Sequence, residues 1–393
     1  MKKILIFSVA YHPFVGGAEI AVKEITDRLS PKALAGAAEF QFEMITLNLD
    51  GAQQKEEQIG NILVHRIGGP GRISKLLFPF SAFLLAKRLH REKTFDSIWS
   101  IMASFGGFAA LFFKFANPKV PFILTLQEGD PIPDIKRQVQ LVYPLFRRIF
   151  TKADAIQAIS NYLADFARDM GATCPIQVVP NGVDVALFST RPRQENIDAA
   201  GEEMGKQPGD TMLITTSRLV PKNAVGDIIA ALALLPDNTR LTVIGEGPLG
   251  EVLEAQANYL GVSERVAFLG FKPYEEIPVY LAASDIFIRP SLSEGMGNSF
   301  IEAMAAGIPV IATPVGGIPD FLHDSETGLF CEVNNPKSIA DCVSRLVDNG
   351  ELREAIISNS RKLTIDRYDW SMISKEMKGV LMIDAKAHEQ PAI

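Results

Sequence analysis

Short apolar runs alternate with longer stretches of helical periodicity along nearly the whole of this 393-residue chain. Such alternation is typical of βαβ units, in which helices cover both faces of a parallel sheet. In the first half, the apolar runs lie at 4–9, 41–47, 62–66, 96–101, 121–126 and 154–158, and helical stretches lie at 18–30 and 76–92. In the second half, the runs lie at 212–217, 240–245, 265–270, 285–290 and 309–313. We expect an α/β fold with two Rossmann-like, doubly wound parallel sheets.

A polar stretch, residues 189–211, separates the two series of runs. Because its composition is typical of a surface connection, we predict a first domain of residues 1–185 and a second of 186–370. A last helix, at about 371–390, is expected to pack back on the first domain. Paired α/β halves of similar size commonly enclose a ligand between the carboxyl ends of their strands, so we predict a site in an interdomain cleft.

Charge and cysteine content exclude several classes of protein. The chain has 39 Lys and Arg against 46 Asp and Glu, a net charge of −7, which argues against a nucleic-acid partner. Its three cysteines show neither disulfide-framework nor zinc spacing, so a reducing, cytoplasmic location is expected.

No run reaches the roughly 18 apolar residues of a membrane span. The apolar amino terminus ends at Tyr11-His12-Pro13, which favours a buried strand over a signal peptide.

A glycine-containing loop followed by a helix is indicated within residues 289–321, RPSLSEGMGNSFIEAMAAGIPVIATPVGGIPDF. Gly295 and Gly297 allow a ligand close to the backbone, and a helix starting near Ser299 would direct unpaired N–H groups at an anionic diphosphate. Glu294 and Glu302, eight residues apart, could hold hydroxyls at opposite ends of an elongated ligand. Ser299 and Glu302 also match a capping box, in which Glu302 only bonds back to the cap residue.

The sequence of this segment resembles the Glu-x7-Glu motif of retaining glycosyltransferases of the family 4 type. The resemblance extends over nearly the whole chain and implies the GT-B fold of two Rossmann-like domains. It implies that Glu294 meets the donor sugar in catalysis and that Glu302 holds the nucleotide ribose. The loop residues between them are implied as donor contacts: Gly295, Met296, Gly297, Asn298 and Ser299.

Near the amino terminus, the run HPFVGGAE at 12–19 resembles the family's glycine-rich first loop. The resemblance implies that the backbone of Gly16 and Gly17 lies by the donor phosphate or the acceptor. Two glycines before a helix are also consistent with a simple tight turn. Further on, Ser160, Asn181 and Asp184 fall in segments that resemble the end of the family's first domain, where we expect them to shape the turn rather than take part in chemistry.

In the second half, SRLVPKNAVGDIIAALALLP at 217–236 resembles the family's Arg-then-Lys pair, which neutralises the donor diphosphate. Cations are needed there because negative charge grows on the departing nucleotide as the glycosidic bond breaks. The resemblance implies catalytic roles for Arg218 and Lys222. In the usual family motif, lysine comes directly before glycine. Asn223-Ala224 occupies those two positions in this chain, so the assignment of Arg218 is firmer than that of Lys222.

A glycine pattern at 245–250, GEGPLG, follows a predicted strand and formally fits GxGxxG. That pattern raises an NAD-binding alternative, but no acid ends the next strand to hold an NAD ribose. The resemblance instead implies that Gly245, Gly247 and Leu269 lie beside the donor nucleotide. Leu269 is equally consistent with an ordinary core position.

After the run FILTL the chain reads Gln127-Glu128-Gly129-Asp130, where the family often has a histidine near the donor sugar. Gln127 can hydrogen-bond a sugar hydroxyl but cannot transfer a proton. Gln127, Glu128 and Asp130 are therefore acceptor-side candidates. The two acids are also consistent with a solvated loop.

No Asp-x-Asp pair, the usual holder of a metal on a nucleotide-sugar diphosphate, occurs in the 393 residues. We therefore expect no metal and no cofactor. The resemblance implies retaining transfer of a hexosyl unit from a UDP-, GDP- or ADP-sugar to a hydroxyl of a glycan, a lipid-linked saccharide or another small acceptor. A nucleotide-sugar epimerase and a non-catalytic sugar-nucleotide sensor are the alternatives.

Residues 72–93, RISKLLFPFSAFLLAKRLHREK, combine basic side chains with a stretch rich in Leu and Phe. This composition can rest on an anionic membrane surface, although many such helices simply pack on a sheet. Arg137, Arg147 and Arg148 add local positive charge. We predict peripheral membrane contact, consistent with polysaccharide or glycolipid biosynthesis at the inner face of the cell membrane.

Overall fold

The computed structural model describes residues 1–14, 16–30 and 39–383. The chain forms two compact units, Met1–Asn181 with the segment from Trp370 onward, and Gly182–Asp369. Each unit contains one sheet.

The first unit contains an eight-stranded sheet. Its strands are β1 (Lys2–Phe7), β2 (Phe40–Leu47), β3 (Glu56–Ile59), β4 (Ile62–Ile67), β5 (Ser97–Ile101), β6 (Phe122–Leu126), β7 (Ala155–Ala158) and β8 (Ile176–Val178). Its helices before residue 182 are α1 (Gly17–Leu29), α2 (Arg72–Lys93), α3 (Phe105–Ala116), α4 (Ile132–Gln138), α5 (Tyr143–Thr151) and α6 (Asn161–Asp169). The strand order is β3-β4-β2-β1-β5-β6-β7-β8, in which only the β3–β4 pair is antiparallel.

The second unit contains a six-stranded, wholly parallel sheet. Its strands are β9 (Thr211–Thr216), β10 (Thr239–Ile244), β11 (Val266–Gly270), β12 (Ile286–Arg289), β13 (Val310–Ala312) and β14 (Leu329–Phe330). Its helices are α7 (Val185–Ser189), α8 (Gln194–Glu203), α9 (Val225–Leu232), α10 (Gly250–Tyr259), α11 (Ile277–Ala282), α12 (Asn298–Ala306), α13 (Pro336–Asp348) and α14 (Gly350–Arg367). The strand order is β11-β10-β9-β12-β13-β14.

The central strands form because their residues are apolar on both faces, as expected when helices cover a parallel sheet. Every residue of β5 and of β6 is buried. The predicted α/β class with two parallel sheets is therefore confirmed. The edge strand β3 was not predicted, because its sequence EEQI has no apolar run and alternates exposed with partly buried residues.

A helix from the end of the described chain, α15 (Trp370–Leu381), belongs to the first unit and packs on α1. Its apolar face, including Trp370, Ile373 and Met377, is buried in the same cluster as Ile4 and Ile6 of β1. The units divide between 181 and 182 and between 369 and 370, close to the predicted positions 185 and 370. Residues 384–390 of the predicted last helix lie outside the described residues.

Over the described ranges, no helix combines the length and the apolar character that a membrane crossing requires. The longest one, α2, carries basic residues in its last turn and a proline at position 79.

Candidate functional site

The strand order of each sheet reverses at one position, between β1 and β5 in the first unit and between β9 and β12 in the second. In open parallel sheets, ligands bind outside the carboxyl ends of the strands at such a reversal. In the second unit, Arg218 lies just after β9, and Glu294 lies in the loop after β12. The two strands that flank the reversal therefore place these two predicted residues at one edge of the sheet.

Arg289, the last residue of β12, contacts several of the predicted residues. Its Nη2 atom donates to Glu294 Oε2 at 2.5 Å and to Asn223 Oδ1 at 3.1 Å. Its Nη1 atom donates to Ser299 Oγ at 2.8 Å. The guanidinium also lies over the ring of Phe300, 5.3 Å from the ring centroid. Sequence reasoning missed Arg289, because a charged side chain at the end of a strand is usually just solvated.

The loop after β9 is tied to the loop after β12 by hydrogen bonds. Asn223 Nδ2 donates to the Arg218 carbonyl oxygen at 2.6 Å, and the Leu292 N–H donates to the Lys222 carbonyl oxygen at 2.7 Å. Arg218 is exposed, and its guanidinium makes no ion pair with any residue in the described ranges. Asn223 is buried and directs its side-chain oxygen at Arg289 rather than at solvent. The loop therefore presents Arg218 while Asn223 anchors it.

The backbone of Glu294 is fixed by two glycines that follow β13. The Gly317 N–H donates to the Glu294 carbonyl oxygen at 3.1 Å. Gly316 has φ of +57°, and a Cβ atom there would lie 1.8 Å from the same oxygen. The Glu294 side chain is buried, and its carboxylate is paired with Arg289. Sequence reasoning did not connect Gly316 with Glu294, because Glu294 lies 22 residues earlier in the chain.

Helix α12 begins at Asn298, one residue before the predicted start. Its cap residue is Gly297, with φ of +90°, and no side chain caps the helix. Ser299 lies inside the helix and accepts from Arg289, so the capping-box interpretation is wrong. Glu302 consequently lies at the beginning of the second turn rather than in the first. Gly295 and Met296 are buried in the loop before the helix.

Burial raises the pKa of Glu302 to about 7, and the nearby positive charge of Arg289 opposes that rise. A carboxyl group with this pKa changes its charge close to neutral pH. Glu302 can therefore accept hydrogen bonds from two hydroxyls when ionised, and fewer when protonated.

The glycines at 245 and 247 pack against the loop that carries Arg218. A Cβ atom on Gly245 would lie 2.0 Å from the Ser217 carbonyl oxygen, and one on Gly247 would lie 2.4 Å from the Leu219 carbonyl oxygen. These glycines therefore admit a neighbouring backbone, a role that accounts for the first two glycines of the GxGxxG pattern without a dinucleotide. Leu269 lies partly buried on β11.

In the first unit, Gly16 is the cap residue of α1, and Gly17 is the first residue of that helix. The Gly16 N–H donates to Glu19 Oε2 at 2.8 Å, so this donor is occupied by the helix's own acid. His12, at the start of the same loop, was not singled out by sequence reasoning. Burial, assisted by the charge of Lys23, lowers the His12 pKa, and its buried Nε2 atom has no hydrogen-bond partner in the described chain.

The three acceptor-side candidates lie together in the loop after β6. Gln127 is buried and accepts from Asn181 Nδ2 at 3.1 Å. Glu128 Oε1 accepts from the Ala103 N–H at 2.6 Å, while its Oε2 atom is buried without a hydrogen-bond partner in the described chain. Burial raises the Glu128 pKa to about 7, against the lowering effect of the Ala103 N–H, and Asp130 adds a smaller upward contribution.

Two of the residues expected to shape the turn cap helices. Ser160 Oγ accepts from the Leu163 N–H at the start of α6, and Asp184 accepts from the Leu187 N–H at the start of α7. Such capping contacts stabilise the first turn of a helix.

Two family models match consecutive parts of the chain. The model described as Glycosyltransferase Family 4 matches residues 15–187, and the model described as Glycosyl transferases group 1 matches residues 196–363. The chain belongs to the group 1 glycosyltransferases of the family 4 type. The first model includes the Gly16 loop of this glycosyltransferase, and the second includes both Arg218 and Glu294.

Two proteins similar to this chain are named as a glycosyltransferase and a mannosyltransferase. An uncharacterized glycosyltransferase of Methanocaldococcus jannaschii is 25% identical over 371 residues, 94% of this chain and 95% of that protein. A GDP-mannose-dependent alpha-(1-6)-phosphatidylinositol monomannoside mannosyltransferase of Mycobacterium tuberculosis is 28% identical over 254 residues, 62% of this chain. The matched part spans 65% of the mycobacterial enzyme, slightly under two thirds of its length.

Solved structures show the same architecture. Sucrose-phosphate synthase from Thermosynechococcus elongatus matches with a TM-score of 0.81 and 19% identity, over 97% of this chain and 98% of that one. Anabaena HepE in complex with UDP and glucose matches with a TM-score of 0.77 and 22% identity, over 97% and 99%. The glycosyltransferase therefore has the GT-B fold that the sequence predicted.

Within residues 1–14, 16–30 and 39–383, no three His, Cys, Asp or Glu side chains are grouped so that they could hold a metal ion. The two predicted cations, Arg218 and Lys222, lie in the loop after β9, whereas Arg289 is paired with Glu294.

Proposed function

We propose that this glycosyltransferase moves a hexosyl unit from a nucleotide-diphosphate sugar to an acceptor hydroxyl, with retention of configuration and without a metal ion. The observation that carries the proposal is the hydrogen-bonded cluster at the ends of β9 and β12. There, Arg289 links the buried Glu294 to Asn223, and Asn223 links it to the loop of Arg218. One site thus combines a fixed carboxylate for sugar hydroxyls with exposed positive charge for phosphate.

The donor's diphosphate is assigned to Arg218, Lys222 and the start of α12. Arg218 offers a planar fork of donors that suits phosphate oxygens, and Lys222 adds a compact charge. The N–H groups at the start of α12 favour an anion as well. GDP-mannose is the first donor to test, because the mycobacterial relative is named as GDP-mannose-dependent.

Transfer proceeds on one face of the sugar. The acceptor oxygen bonds to the anomeric carbon on the side that the nucleotide leaves, and the bond from that carbon to the phosphate oxygen breaks. Its electron pair stays with the diphosphate, which takes the proton of the acceptor hydroxyl. Arg218 and Lys222 stabilise the charge that develops on the diphosphate, so they favour the transition state over the bound donor.

Independence from metal is proposed because the sequence has no Asp-x-Asp pair to hold a divalent ion on the diphosphate. Arg218, Lys222 and the start of α12 can supply the positive charge instead. No resident cofactor is needed for this reaction.

The acceptor is assigned to the first unit, at the loop of Gln127, Glu128 and Asp130. Glu128 presents a buried carboxyl oxygen with no hydrogen-bond partner in the described chain. Such an oxygen can receive a hydroxyl of the acceptor, since a buried polar atom without a partner is costly. We propose a lipid-linked saccharide as the acceptor.

Helix α2 supports a lipid-linked acceptor. Phe78, Ala82, Ala86 and Leu89 of this helix are buried on the unit's core. The opposite face of its first four turns exposes five apolar side chains, each 57–75% exposed: Ile73, Leu76, Leu77, Phe80 and Leu84. An exposed apolar stripe of this size is rare on a surface that faces only water.

Basic side chains lie on the same exposed face of α2, closer to its carboxyl end. At 3.6 residues per turn, Lys87, Arg88 and Arg91 follow the apolar stripe, and all three are exposed. Apolar side chains beside basic ones suit the surface of an anionic bilayer. Arg147 is exposed as well, and its Nε atom donates to the Met170 carbonyl oxygen at 3.1 Å.

A donor panel tests the proposed function. Purified protein is mixed with GDP-mannose, UDP-glucose or ADP-glucose in EDTA, and thermal stability, donor hydrolysis and the anomeric configuration of the first product are measured. A specific donor stabilises the protein by RT ln(1 + [L]/Kd) and is slowly hydrolysed. Loss of turnover in EDTA would contradict metal independence, and an inverted product would contradict retention. Binding without any turnover would favour a sugar-nucleotide sensor.

A further inference from the structure

We infer that Arg289 is the positioning residue of the donor site, holding Glu294 and Ser299 in a fixed geometry relative to the loop of Arg218. The inference rests on the proposed function, because it assigns Arg289 a task at the same site. Arg289 acts through other residues, and its own role is to orient them.

The contacts of Arg289 require a guanidinium. Its two terminal nitrogens reach three acceptors on three segments: Glu294 in the loop, Ser299 in α12 and Asn223 after β9. A planar fork of fixed donors can hold such partners in one arrangement, whereas an ammonium is a single point charge on a flexible stem. Lysine at this position would keep the positive charge but could not hold the three acceptors in one arrangement.

Burial makes the pairing necessary. Glu294 is a buried carboxylate, and the Arg289 side chain that faces it is only 12% exposed. A buried charge that loses its partner is strongly destabilised, whereas a pair of neutral residues in the same place is often tolerated. Arg289 therefore holds Glu294 in a fixed position as an acceptor for sugar hydroxyls.

The link to the phosphate-binding loop runs through Asn223. Its Oδ1 atom accepts from Arg289, and its Nδ2 atom donates to the Arg218 carbonyl oxygen. The common wording of the family has lysine at the position of Asn223. In this chain, a neutral side chain stands there, and the positive charge next to it comes from Arg289 on the neighbouring strand.

The test compares Arg289→Gln and Arg289→Lys with a matched control, Arg265→Gln. Arg265 lies in the same unit, is similarly buried at 13% side-chain exposure, and is bonded to Asp237 rather than to the site. Donor turnover and the Kd of GDP or UDP are measured for each variant. We expect kcat of Arg289→Gln to fall about 10- to 100-fold, since small misplacements of reacting groups have costs of this order. The Kd should change little, because Arg218 and Lys222 remain.

Arg289→Lys should show a kcat between those of the wild type and Arg289→Gln, which separates geometry from charge. A wild-type kcat in Arg289→Lys would show that the planar guanidinium is not required, and it would overturn that part of the inference. Equal losses in Arg289→Gln and Arg265→Gln would show a general effect on stability and would overturn the inference.

A double-mutant cycle with Glu294→Gln keeps the test valid if Arg289→Gln alone does not fold, because the double variant removes both charges. If Arg289 acts through Glu294, adding Arg289→Gln to Glu294→Gln should lower kcat little further. If the fold-losses in kcat of the two single variants multiply in the double variant, the inference is overturned while the proposed function stands. If the wild type neither binds nor hydrolyses any nucleotide sugar, the proposed function fails, and the inference fails with it.

Discussion

A Cβ atom on Gly316 would lie 1.8 Å from the carbonyl oxygen of Glu294. The loop that carries the candidate catalytic carboxylate therefore rests directly on the backbone of a second loop, and only glycine leaves room for that contact. The positive φ of Gly316, +57°, adds a second reason, since other residues rarely adopt it.

Replacing Gly316 by alanine should displace the Glu294 loop. We expect kcat for donor turnover to fall by at least about tenfold, because the carboxylate no longer meets the sugar in the required position. Steady-state kinetics of Gly316→Ala are compared with Gly350→Ala, since Gly350 begins α14 and a Cβ atom there meets nothing within 4 Å. Equal activity of the two variants would contradict this account of the loop.

Arg218→Ala should lose transfer without losing the fold. The side chain is exposed and makes no ion pair in the described chain, so the free energy of unfolding should change by less than about 0.5 kcal/mol. Removal of an electrostatic group aimed at developing charge lowers kcat by about 100-fold or more. The control is Arg193→Ala, an arginine of the same unit with 84% side-chain exposure. Near-normal turnover by Arg218→Ala would refute its assignment.

Glu128 should make stability depend on pH. Its pKa in the folded state, raised by burial from 4.5 to about 7, means that the folded form holds a proton more tightly than the unfolded chain. Stability is therefore lost as pH rises from about 4.5 to 7, by on the order of 3 kcal/mol. Glu128→Gln keeps the acceptor for Ala103 and removes the ionisation.

Melting temperatures between pH 5 and 8 check this prediction. The variant Glu128→Gln should gain stability relative to the wild type at pH 8 and little at pH 5. Glu92→Gln, at an exposed position in α2, is the control and should follow the wild type. A constant difference between Glu128→Gln and the wild type across this range would show that Glu128 does not titrate there.

Glu302 should make donor affinity depend on pH. The pKa of its carboxyl group is about 7, and only the ionised form accepts from both ribose hydroxyls. The Kd of the donor should decrease as pH rises through 7, and Glu302→Gln should abolish most of that dependence. Titration calorimetry between pH 6 and 8.5 measures both. Glu254→Gln, an exposed position of α10, should retain the wild-type profile.

Helix α2 should carry membrane binding. We expect Leu76→Gln with Phe80→Gln to reduce sedimentation with anionic vesicles several-fold, because these two side chains lie in the exposed apolar stripe. The matched control is Leu234→Gln with Val252→Gln, both 60% exposed in the second unit. Binding should weaken as salt rises. Wild-type protein that stays in the supernatant at low salt would contradict the proposal.

Much of the fold follows from local sequence, because buried parallel strands are continuous apolar runs. The runs at 96–101 and 121–126 became β5 and β6 with little change of bounds. The edge strand β3 gave no such signal, because it is stabilised by pairing with β4 and has one exposed face.

The candidate site could be predicted where its residues are consecutive. Glu294 to Glu302 form one run, and the run itself indicated the loop and the helix. Contacts between distant segments could not be predicted, because neither Arg289–Asn223 nor Gly316–Glu294 has a sequence spacing that distinguishes it. The predicted helix start near Ser299 agrees with the observed start at Asn298, but the cap residue is Gly297.

Helix α15 has a consequence for the synthesis of the protein. The cluster around β1 includes Trp370 and Met377, so the first unit lacks part of its core until the ribosome has passed these residues. The second unit is complete earlier, and the Val183 N–H donates to the Tyr368 carbonyl oxygen at 2.8 Å, which brings its two ends side by side. Domains usually fold in the order of their synthesis. Here, the unit that the ribosome begins first is the one that it finishes last.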